Sequence, residues 1–270
     1  MELPLSHVLL ITDMDDTLLR TDKSISDRNL QAIRKLRQLG GGFTIATGRS
    51  VPSYLPYHDL ILPDTPVVLN NGAVLYDPYR DEIVWNSVLP ETAKGYVAEI
   101  ARKFPEVGVE ILLGKEIFVT QMSKQIQDHM EHEHLVHTIA LIEEIPDQWY
   151  KVLYATEKER MEPLCAYLDS LEHTDVTYVT SSQYYCEMLP RNTSKGDALK
   201  ILTRMEHLEQ KKIYAVGDYY NDLQLLEAAD VGAAVKNAPE DVRNAANLVV
   251  GSNEEDAIAE VIDYIMEHEQ

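Results

Sequence analysis

The sequence of 270 residues predicts an α/β fold, a doubly wound, Rossmann-like parallel sheet into which an α+β domain is inserted. Three observations support this class. Short apolar runs alternate with amphipathic helical segments at both ends of the chain, which is typical of parallel sheets with right-handed crossovers. Polar residues follow several of the apolar runs directly. A central block breaks the alternation and combines strands and helices in another order.

The N-terminal part begins with a strand at about Val8 to Thr12, an apolar run that indicates burial on both faces. A helix follows in SISDRNLQAIRKLRQLGG, where Ser24 or Ser26 can cap the start and Gly40 and Gly41 end it. Its apolar face is predicted to contain Leu30, Ile33, Leu36 and Leu39. One further strand is predicted in FTIATGRS and another in PVVLNNGAVLYD.

The central block, residues 84–189, predicts an inserted α+β domain. Helices are expected at 91–104, near 123–134 and at 157–170, with strands between and after them. From Lys195 the alternation of strand and helix returns and continues into a final amphipathic helix. We therefore predict that residues 1–83 and 190–270 together form the other domain.

Two carboxylates follow the first strand, in the stretch HVLLITDMDDTLLRTD. Because strand side chains alternate, Asp13 and Asp15 are expected on one side, while Met14 points away and leaves its backbone N–H available. Like charges held that close repel each other unless a cation lies between them. The pattern therefore favours a ligand or a metal ion at this strand end.

Three other strand or helix ends carry residues with similar potential: Thr47, Lys195, and Asp218 together with Asp222. In doubly wound sheets, ligands bind at the carboxyl ends of the strands. Asp218 would complete a set of oxygen ligands suited to Mg²⁺. Any one of these residues alone is explained more simply as a solvated loop residue, but that explanation is weak for the whole set.

The charge pattern excludes some classes of partner. The chain has 24 basic and 45 acidic residues, a net charge of −21, which argues against a broad basic face for nucleic acid or an anionic membrane. No apolar run is long enough to cross a bilayer, and the start MELPLSH lacks the features of a signal peptide. We expect a cytoplasmic protein that is a monomer or a weak homo-oligomer.

Cysteine and histidine do not predict a further metal site. Cys165 and Cys186 stand far apart without a metal-binding spacing, so both are interpreted as packing residues. The stretch DHMEHEHLVH brings His129, His132, His134 and His137 close together. Their spacing is not a clean pair one helical turn apart with a carboxylate, and we interpret the stretch as a solvated helix end.

Four motifs in order resemble those of the haloacid dehalogenase superfamily, and within it the Cof-type phosphatases that carry a large cap between the second and third motifs. They are Asp13-Met14-Asp15-Asp16-Thr17, Thr47-Gly48-Arg49, Lys195 in NTSKGDAL, and GDYYND, which contains Asp218, Asn221 and Asp222. The resemblance extends to NNGA, at Asn70 to Ala73, and to KNAPEDVRNAA. Two positions depart from it, because Asp16 and Lys236 stand where many members have Gly.

The resemblance implies a phosphatase with a core of residues 1–83 and 190–270 and a cap of residues 84–189. Asp13 would attack phosphorus and form an aspartyl-phosphate, and Asp15 would serve as acid and then as base. Thr47 and Lys195 would bind the transferring phosphoryl group. Further phosphate or substrate contacts are implied for Met14, Gly48, Arg49, Asn71, Gly72 and Asn221.

The resemblance also implies Mg²⁺ as cofactor, held by Asp13, Asp15 through its backbone carbonyl, and Asp218, with Asp222 supporting the metal site. The substrate would be a small phosphorylated metabolite, and we expect a sugar phosphate with appreciable promiscuity. Sequence alone does not name it.

Three other functions use the same residues in different ways. A phosphotransferase or mutase would pass the phosphoryl group from Asp13 to a sugar hydroxyl. A non-catalytic sugar-phosphate sensor would keep the pocket and lose the chemistry, which the full residue set disfavours. A dehalogenase is disfavoured because it has no need of Asp15.

Overall fold

The structure is a computed structural model that describes residues 3–269. The described chain divides into two compact units. The first comprises residues 3–48, 56–84 and 194–269, and the second comprises residues 49–55 and 85–193. The short segment 49–55 groups with the second unit, which no sequence pattern indicated.

The described residues form both strands and helices, with short single helical turns between some of them. The strands are β1 Val8–Thr12, β2 Gly42–Ile45, β3 Val67–Leu69, β4 Val74–Asp77, β5 Glu82–Asn86, β6 Gly108–Leu113, β7 Glu116–Gln121, β8 Thr138–Ile139, β9 Lys151–Ala155, β10 Val176–Ser182, β11 Tyr185–Pro190, β12 Lys212–Gly217, β13 Val231–Val235 and β14 Leu248–Val250. The helices are α1 Asp27–Gln38, α2 Val51–Tyr54, α3 His58–Ile61, α4 Ala93–Lys103, α5 Lys124–His132, α6 Lys158–Ser170, α7 Lys195–Met205, α8 Leu223–Ala228, α9 Glu240–Ala245 and α10 Ala257–His268.

A five-stranded parallel sheet forms the centre of the first unit, in the order β14-β13-β12-β1-β2. All five residues of β1 are buried, as expected for a strand covered on both faces. The chain order reverses beside β1, because β2 follows it on one side and β12 adjoins it on the other. This switch point is where doubly wound sheets bind their ligands. The predicted α/β class is confirmed.

The first helix ends as the sequence predicts. Ser26 is the N-cap of α1, and its hydroxyl accepts a hydrogen bond from the Asn29 backbone N–H. Gly40, directly after the helix, has φ +95°, a conformation that favours glycine. The Asn29 side chain accepts a hydrogen bond from the backbone N–H of Ala259, and this contact ties α1 to α10.

One predicted strand is a hairpin. The stretch PVVLNNGAVLYD, predicted as a single strand, contains β3 and β4, which pair antiparallel. The turn between them, Asn70–Gly72, has three successive residues with positive φ, at 51°, 53° and 99°. Asparagine and glycine tolerate this region better than other residues, and that tolerance is the signal that the single-strand prediction overlooked.

A six-stranded sheet, in the order β10-β11-β9-β6-β7-β8, organises the second unit. One face packs with α4 and α6 around Val97, Ile111, Tyr154 and Leu164. Helix α5 covers part of the other face, where Leu153 and its neighbours form a second apolar cluster. Strands β6 and β7 form a hairpin in the stretch LLGKEIF, with Gly114 at φ +60°.

Every helix within residues 3–269 is too short or too polar to cross a bilayer.

Candidate active site

Lys195 lies at the centre of a buried ion cluster in the first unit. Its ammonium donates hydrogen bonds of 2.6 Å to Asp13 Oδ1 and of 2.6 Å to Asp222 Oδ1. Lys195 and Asp222 are 0% exposed, and Asp13 is 5% exposed. Asp13 directly follows β1, and Asp222 follows β12, the strand that pairs with β1. The cluster therefore stands at the switch point of the sheet.

Helix α7 places the lysine. Ser194 caps this helix by accepting a hydrogen bond of 3.0 Å from the backbone N–H of Asp197. Lys195 is thus the first helical residue. A Cβ on Gly196 would lie 2.1 Å from the backbone oxygen of Gln224, so only glycine lets the first turn of α7 come this close to α8.

Asp222 orders the loop after β12 with its second oxygen. Asp222 Oδ2 accepts hydrogen bonds from the backbone N–H groups of Asp218, at 3.0 Å, and Tyr219, at 3.2 Å. Both carboxylate oxygens are therefore engaged, one by Lys195 and one by the backbone. This side chain fixes the position of Asp218 and of the lysine together.

Gly217 leaves the space that Asp222 fills. A Cβ at position 217 would lie 2.5 Å from both Asp222 Cβ and Cγ. We expect Gly217→Ala to displace Asp222 and to lower the free energy of unfolding by about 1–3 kcal/mol, the usual cost of overpacking. Thermal melts followed by circular dichroism would measure the loss as a lower melting temperature.

Gly95→Ala is the matched control for this substitution. Gly95 lies in α4, where an added Cβ would meet nothing within 4 Å. Replacing an unstrained helical glycine by alanine stabilises a protein by about 0.4–1 kcal/mol. A Gly217→Ala protein that melts at or above the temperature of the unchanged chain would contradict the crowding argument.

Three carboxylates could hold a metal ion. Ligand atoms of Asp13, Asp218 and Asp222 lie within 4.8 Å of one another, and this is the one such group of three among residues 3–269. Asp218 Oδ1 also accepts a hydrogen bond of 3.0 Å from the Thr17 hydroxyl. Carboxylate oxygens are the ligands that Mg²⁺ and other hard cations prefer.

The electrostatics of the cluster favour a bound cation. Burial raises the pKa of Asp13 to about 7, against the opposing attraction of Lys195 and with the added repulsion of Asp222. Burial also raises the pKa of Asp218 well above its ordinary value, and the charges of Asp13 and Asp222 raise it further. Burial alone would lower the pKa of Lys195, but the two carboxylates raise it, so the lysine stays charged. One ammonium faces three carboxylates, and a divalent cation would balance the excess.

The turn Asn70–Gly72 packs against the start of α7. A Cβ on Gly72 would lie 2.1 Å from the carbonyl oxygen of Ser194, so the turn needs glycine there. Asn71 Oδ1 accepts a hydrogen bond of 2.9 Å from Asn221 Nδ2, and the Asn71 backbone N–H donates to the Thr47 carbonyl. A Cβ on Gly48 would lie 3.1 Å from the Asn71 amide. The structure thus brings together five residues that the sequence analysis grouped as phosphate or substrate contacts: Thr47, Gly48, Asn71, Gly72 and Asn221.

One buried acceptor near this turn has no partner. Oδ1 of Asn221 makes no hydrogen bond within residues 3–269 although it is shielded from solvent. A buried acceptor of this kind costs free energy unless water or a ligand satisfies it. It therefore suits a bound water or a donor on a ligand.

Asp15 stands in a more open position than Asp13. Its side chain is 35% exposed, and Asp15 Oδ1 accepts a hydrogen bond of 2.8 Å from Lys23. Met14 is buried and begins the helical turn that contains Asp15, whereas Asp13 directly precedes this turn. Asp16 has φ +55°, a conformation that glycine adopts readily and that aspartate also tolerates. The Asn237 side-chain amide anchors this residue by donating a hydrogen bond of 2.8 Å to the Asp16 carbonyl.

Arg49 contacts Ser53 and Glu133, which both belong to the second unit. Its guanidinium donates to the carbonyl and the hydroxyl of Ser53, at 3.1 and 3.0 Å, and lies 3.3 Å from Glu133 Oε1. Ser53 also donates a hydrogen bond to Glu133. A phosphate contact by Arg49 stays a prediction.

Among residues 3–269, no histidine belongs to a group of three side chains that could share a metal ion. His129 directs one ring nitrogen toward Glu110, at 3.7 Å, and the other toward Glu133, at 3.9 Å. Two nitrogens on opposite sides of one ring cannot bind the same ion. Helix α5 ends at His132, and His134, just after it, has φ +54°.

Some residues that shape the site were not singled out from the sequence. Thr17 and Asn237 both lie inside quoted motifs, DMDDT and KNAPED, so their position in the motif was the available signal. No sequence pattern pointed to Lys23, because a lysine in a polar turn looks the same in sequence whether or not it contacts a functional site. Lys236, the second departure, is exposed and lies 3.2 Å from Glu255.

Comparison with known proteins adds sequence relatives over the whole chain. A family model described as haloacid dehalogenase-like hydrolase matches residues 10–262. Phosphatase YwpJ of Bacillus subtilis is 27% identical over 286 residues, which cover 96% of this chain and 99% of that protein. The B. subtilis 5-amino-6-(5-phospho-D-ribitylamino)uracil phosphatase YitU is 27% identical over 263 residues, with 93% and 94% covered.

A solved structure supports the fold. The crystal structure of a haloacid dehalogenase-like hydrolase from Bacteroides thetaiotaomicron superposes with a TM-score of 0.83 at 24% identity. The superposition covers 96% of this chain and 99% of that one.

Proposed function

This chain belongs to the haloacid dehalogenase-like hydrolases, as its four motifs predicted, and we propose that it is a Mg²⁺-dependent phosphatase of small phosphorylated metabolites. The observation that carries the proposal is the Lys195 ammonium, bonded at 2.6 Å to both Asp13 and Asp222. The ammonium holds the Asp13 carboxylate in place at the end of β1. The cluster of Lys195, Asp13 and Asp222 can then accept an anionic substrate and a cation.

Asp13 is the nucleophile in this proposal. One of its carboxylate oxygens forms a bond to phosphorus while the bond from phosphorus to the ester oxygen breaks, and an aspartyl-phosphate results. Asp15 donates a proton to the departing oxygen and later takes a proton from the water that hydrolyses the intermediate. Its partly exposed position suits a group that must meet both a leaving group and water.

Fixed donors stabilise the transferring phosphoryl group. Its charge is spread over three equatorial oxygens, which positioned N–H and ammonium groups bind strongly in a buried site. We assign this role to Lys195, to the Thr47 hydroxyl and to the backbone N–H groups of Met14 and Gly48. Asn221 and the Asn71–Gly72 turn border the same position, supported by the bond between Asn221 and Asn71.

The residues present fit Mg²⁺. Asp13, the Asp15 carbonyl and Asp218 would hold the ion. Both oxygens of Asp222 are already bonded, so Asp222 would support the site by accepting the hydrogen bond from the Asp218 backbone N–H. When bound, Mg²⁺ neutralises phosphoryl charge and lowers the repulsion between substrate and carboxylates. The Thr17 hydroxyl bond to Asp218 orients that carboxylate.

The substrate class is a small phosphate monoester. The two relatives are named as phosphatases, one of them for a phosphorylated ribitylamino-uracil. We propose a sugar phosphate or a related phosphorylated metabolite, with residues 84–189 as the cap that selects it. The cytoplasmic location and the monomeric or weakly oligomeric state stay predictions.

Release of inorganic phosphate tests the function and its metal. Incubation with p-nitrophenyl phosphate and a panel of sugar, nucleotide and coenzyme monophosphates should release phosphate with Mg²⁺ present and without any added acceptor. EDTA should abolish the release and Mg²⁺ should restore it. Ca²⁺ should restore it poorly, because Ca²⁺ prefers a larger and looser oxygen shell.

The same assay separates the alternatives. A phosphotransferase would release little inorganic phosphate with or without a sugar acceptor, because it would pass the phosphoryl group to the added sugar and form a sugar phosphate. A sensor would bind esters without turnover. Full activity after EDTA treatment, or equal rescue by Ca²⁺ and Mg²⁺, would contradict the proposed metal site.

A further inference from the structure

The second unit contains two cysteines that the fold brings together. Cys165 lies on α6 and Cys186 on β11, and both are free thiols. Cys186 belongs to the apolar cluster under α4 and α6, and Cys165 packs against that cluster. The interpretation of both as packing residues is consistent with this burial, but it does not describe their proximity.

Strand register gives the geometry. Thr180 on β10 and Cys186 on β11 are direct partners in an antiparallel pair. The side chains of such partners lie on one face of the sheet, with Cβ atoms about 4.5–5.5 Å apart. Cys165 Sγ lies 3.5 Å from Thr180 Oγ1. Helix α6 therefore places the Cys165 thiol beside the strand pair that contains Cys186.

The two thiols differ in accessibility and acidity. Cys186 is 2% exposed, whereas Cys165 is half-buried. The hydrogen bond from Cys186 lowers the pKa of Cys165 to about 6, with a further lowering by Thr180 and opposition from burial and Asp169. Reactive cysteines are partly exposed thiolates, and a neighbouring thiol can resolve their oxidised form.

We propose that Cys165 and Cys186 form a reversible disulfide, a modification site in the inserted domain, with Cys165 as the cysteine that reacts first with a peroxide. The residue contacts that carry this are the Cys165–Thr180 contact and the Thr180–Cys186 strand pair. The proposal is independent of the phosphatase assignment, because none of the three residues lies in the proposed active site.

The chemistry balances with one peroxide. The Cys165 thiolate attacks one peroxide oxygen, so an S–O bond forms, the O–O bond breaks, and hydroxide leaves and takes up the proton that the thiol had lost. The Cys186 sulfur then attacks the Cys165 sulfur, so the S–S bond forms, the S–O bond breaks, and the Cys186 proton leaves with the oxygen as water. Two thiols are oxidised, and one peroxide is reduced to two waters.

The bond would join α6 to β11 across the apolar cluster. Residue Glu187, next to Cys186, forms a buried ion pair of 3.0 Å with Lys151 on the neighbouring strand β9. A crosslink at Cys186 would thus restrain the helix and the centre of the sheet together. A dithiol reductant would release it.

Mass spectrometry of the full chain tests the proposal without any substitution. After treatment with a small excess of hydrogen peroxide, the intact mass should fall by two hydrogen atoms. Alkylation after denaturation should then label neither cysteine, and dithiothreitol should restore labelling of both. Digestion without reduction should give one linked pair of peptides that contains Cys165 and Cys186.

Single variants check the order of reaction. In Cys186→Ser, Cys165 should accumulate as a sulfenic acid that dimedone traps, whereas in Cys165→Ser, Cys186 should stay reduced at the same peroxide dose. The proposal is overturned if the treated unchanged chain still alkylates at both cysteines, if Cys165 gains oxygen atoms without crosslinking, or if the only disulfide joins two chains. These readings of the unchanged chain hold even where a variant folds poorly.

Discussion

Asp13→Asn is expected to reduce phosphate release by about four orders of magnitude or more, as removal of a catalytic nucleophile does in other hydrolases. The amide keeps the size and shape of the carboxylate but cannot attack phosphorus or serve as an anionic metal ligand. Lys195 keeps Asp222 as a partner, so the fold should survive. Initial rates with p-nitrophenyl phosphate at saturating Mg²⁺ measure the loss, and circular dichroism checks the fold.

Asp16→Asn is the matched control. It makes the same chemical change three residues later, on an exposed side chain at φ +55°, a conformation that asparagine tolerates well. Its rate should stay close to that of the unchanged chain. Near-normal turnover by a folded Asp13→Asn protein, free of deamidated material by mass spectrometry, would remove Asp13 from the nucleophile role.

Lys195→Met is expected to lower stability as well as activity. Methionine fills a similar volume but leaves Asp13 and Asp222 buried without their shared counter-ion. Breaking a buried ion pair by removing one partner costs about 3–5 kcal/mol. For a protein of this size such a loss corresponds to a melting temperature lower by roughly 6–20 °C. Added Mg²⁺ should recover part of the loss, because it would again place positive charge among the carboxylates.

Lys200→Met on the same helix is the control. This lysine is 60% exposed and lies 3.5 Å from a partly exposed Asp197. Surface changes of this kind stay within about 0.5 kcal/mol. If Lys195→Met and Lys200→Met melt at the same temperature, the buried lysine does not balance the carboxylates as argued.

Sequence patterns predicted the sheet and the polar strand ends because both are local properties. The apolar run before Asp13 and the one before Asp218 each indicate a buried strand, and parallel strands place such ends at one edge. The pairing of β1 with β12 then follows from topology, and the bonds from Lys195 to Asp13 and Asp222 agree with it.

Other features depend on side-chain contacts that no local pattern encodes. Arg49 meets Glu133, and Cys165 meets Thr180 beside Cys186, only because helices and strands far apart in sequence pack in a particular register. The hairpin at Asn70–Gly72 was missed for another reason. The apolar residues on both sides of the turn have the pattern of one continuous strand. The chain nevertheless reverses there, because the three turn residues adopt positive φ values.

The position of β1 between β2 and β12 has a consequence for how a ribosome delivers this chain. Leu10 pairs with Tyr214, so the nascent protein must wait for about 200 further residues before the centre of its sheet can close. At usual synthesis rates that interval lasts on the order of 10–40 s. During it one edge of β1, a strand that is buried along its whole length in the folded protein, stays open to other chains. The six strands of the second sheet, β6 to β11, all emerge within the same interval. Chaperone capture during translation should therefore concentrate on the N-terminal segment until β12 emerges.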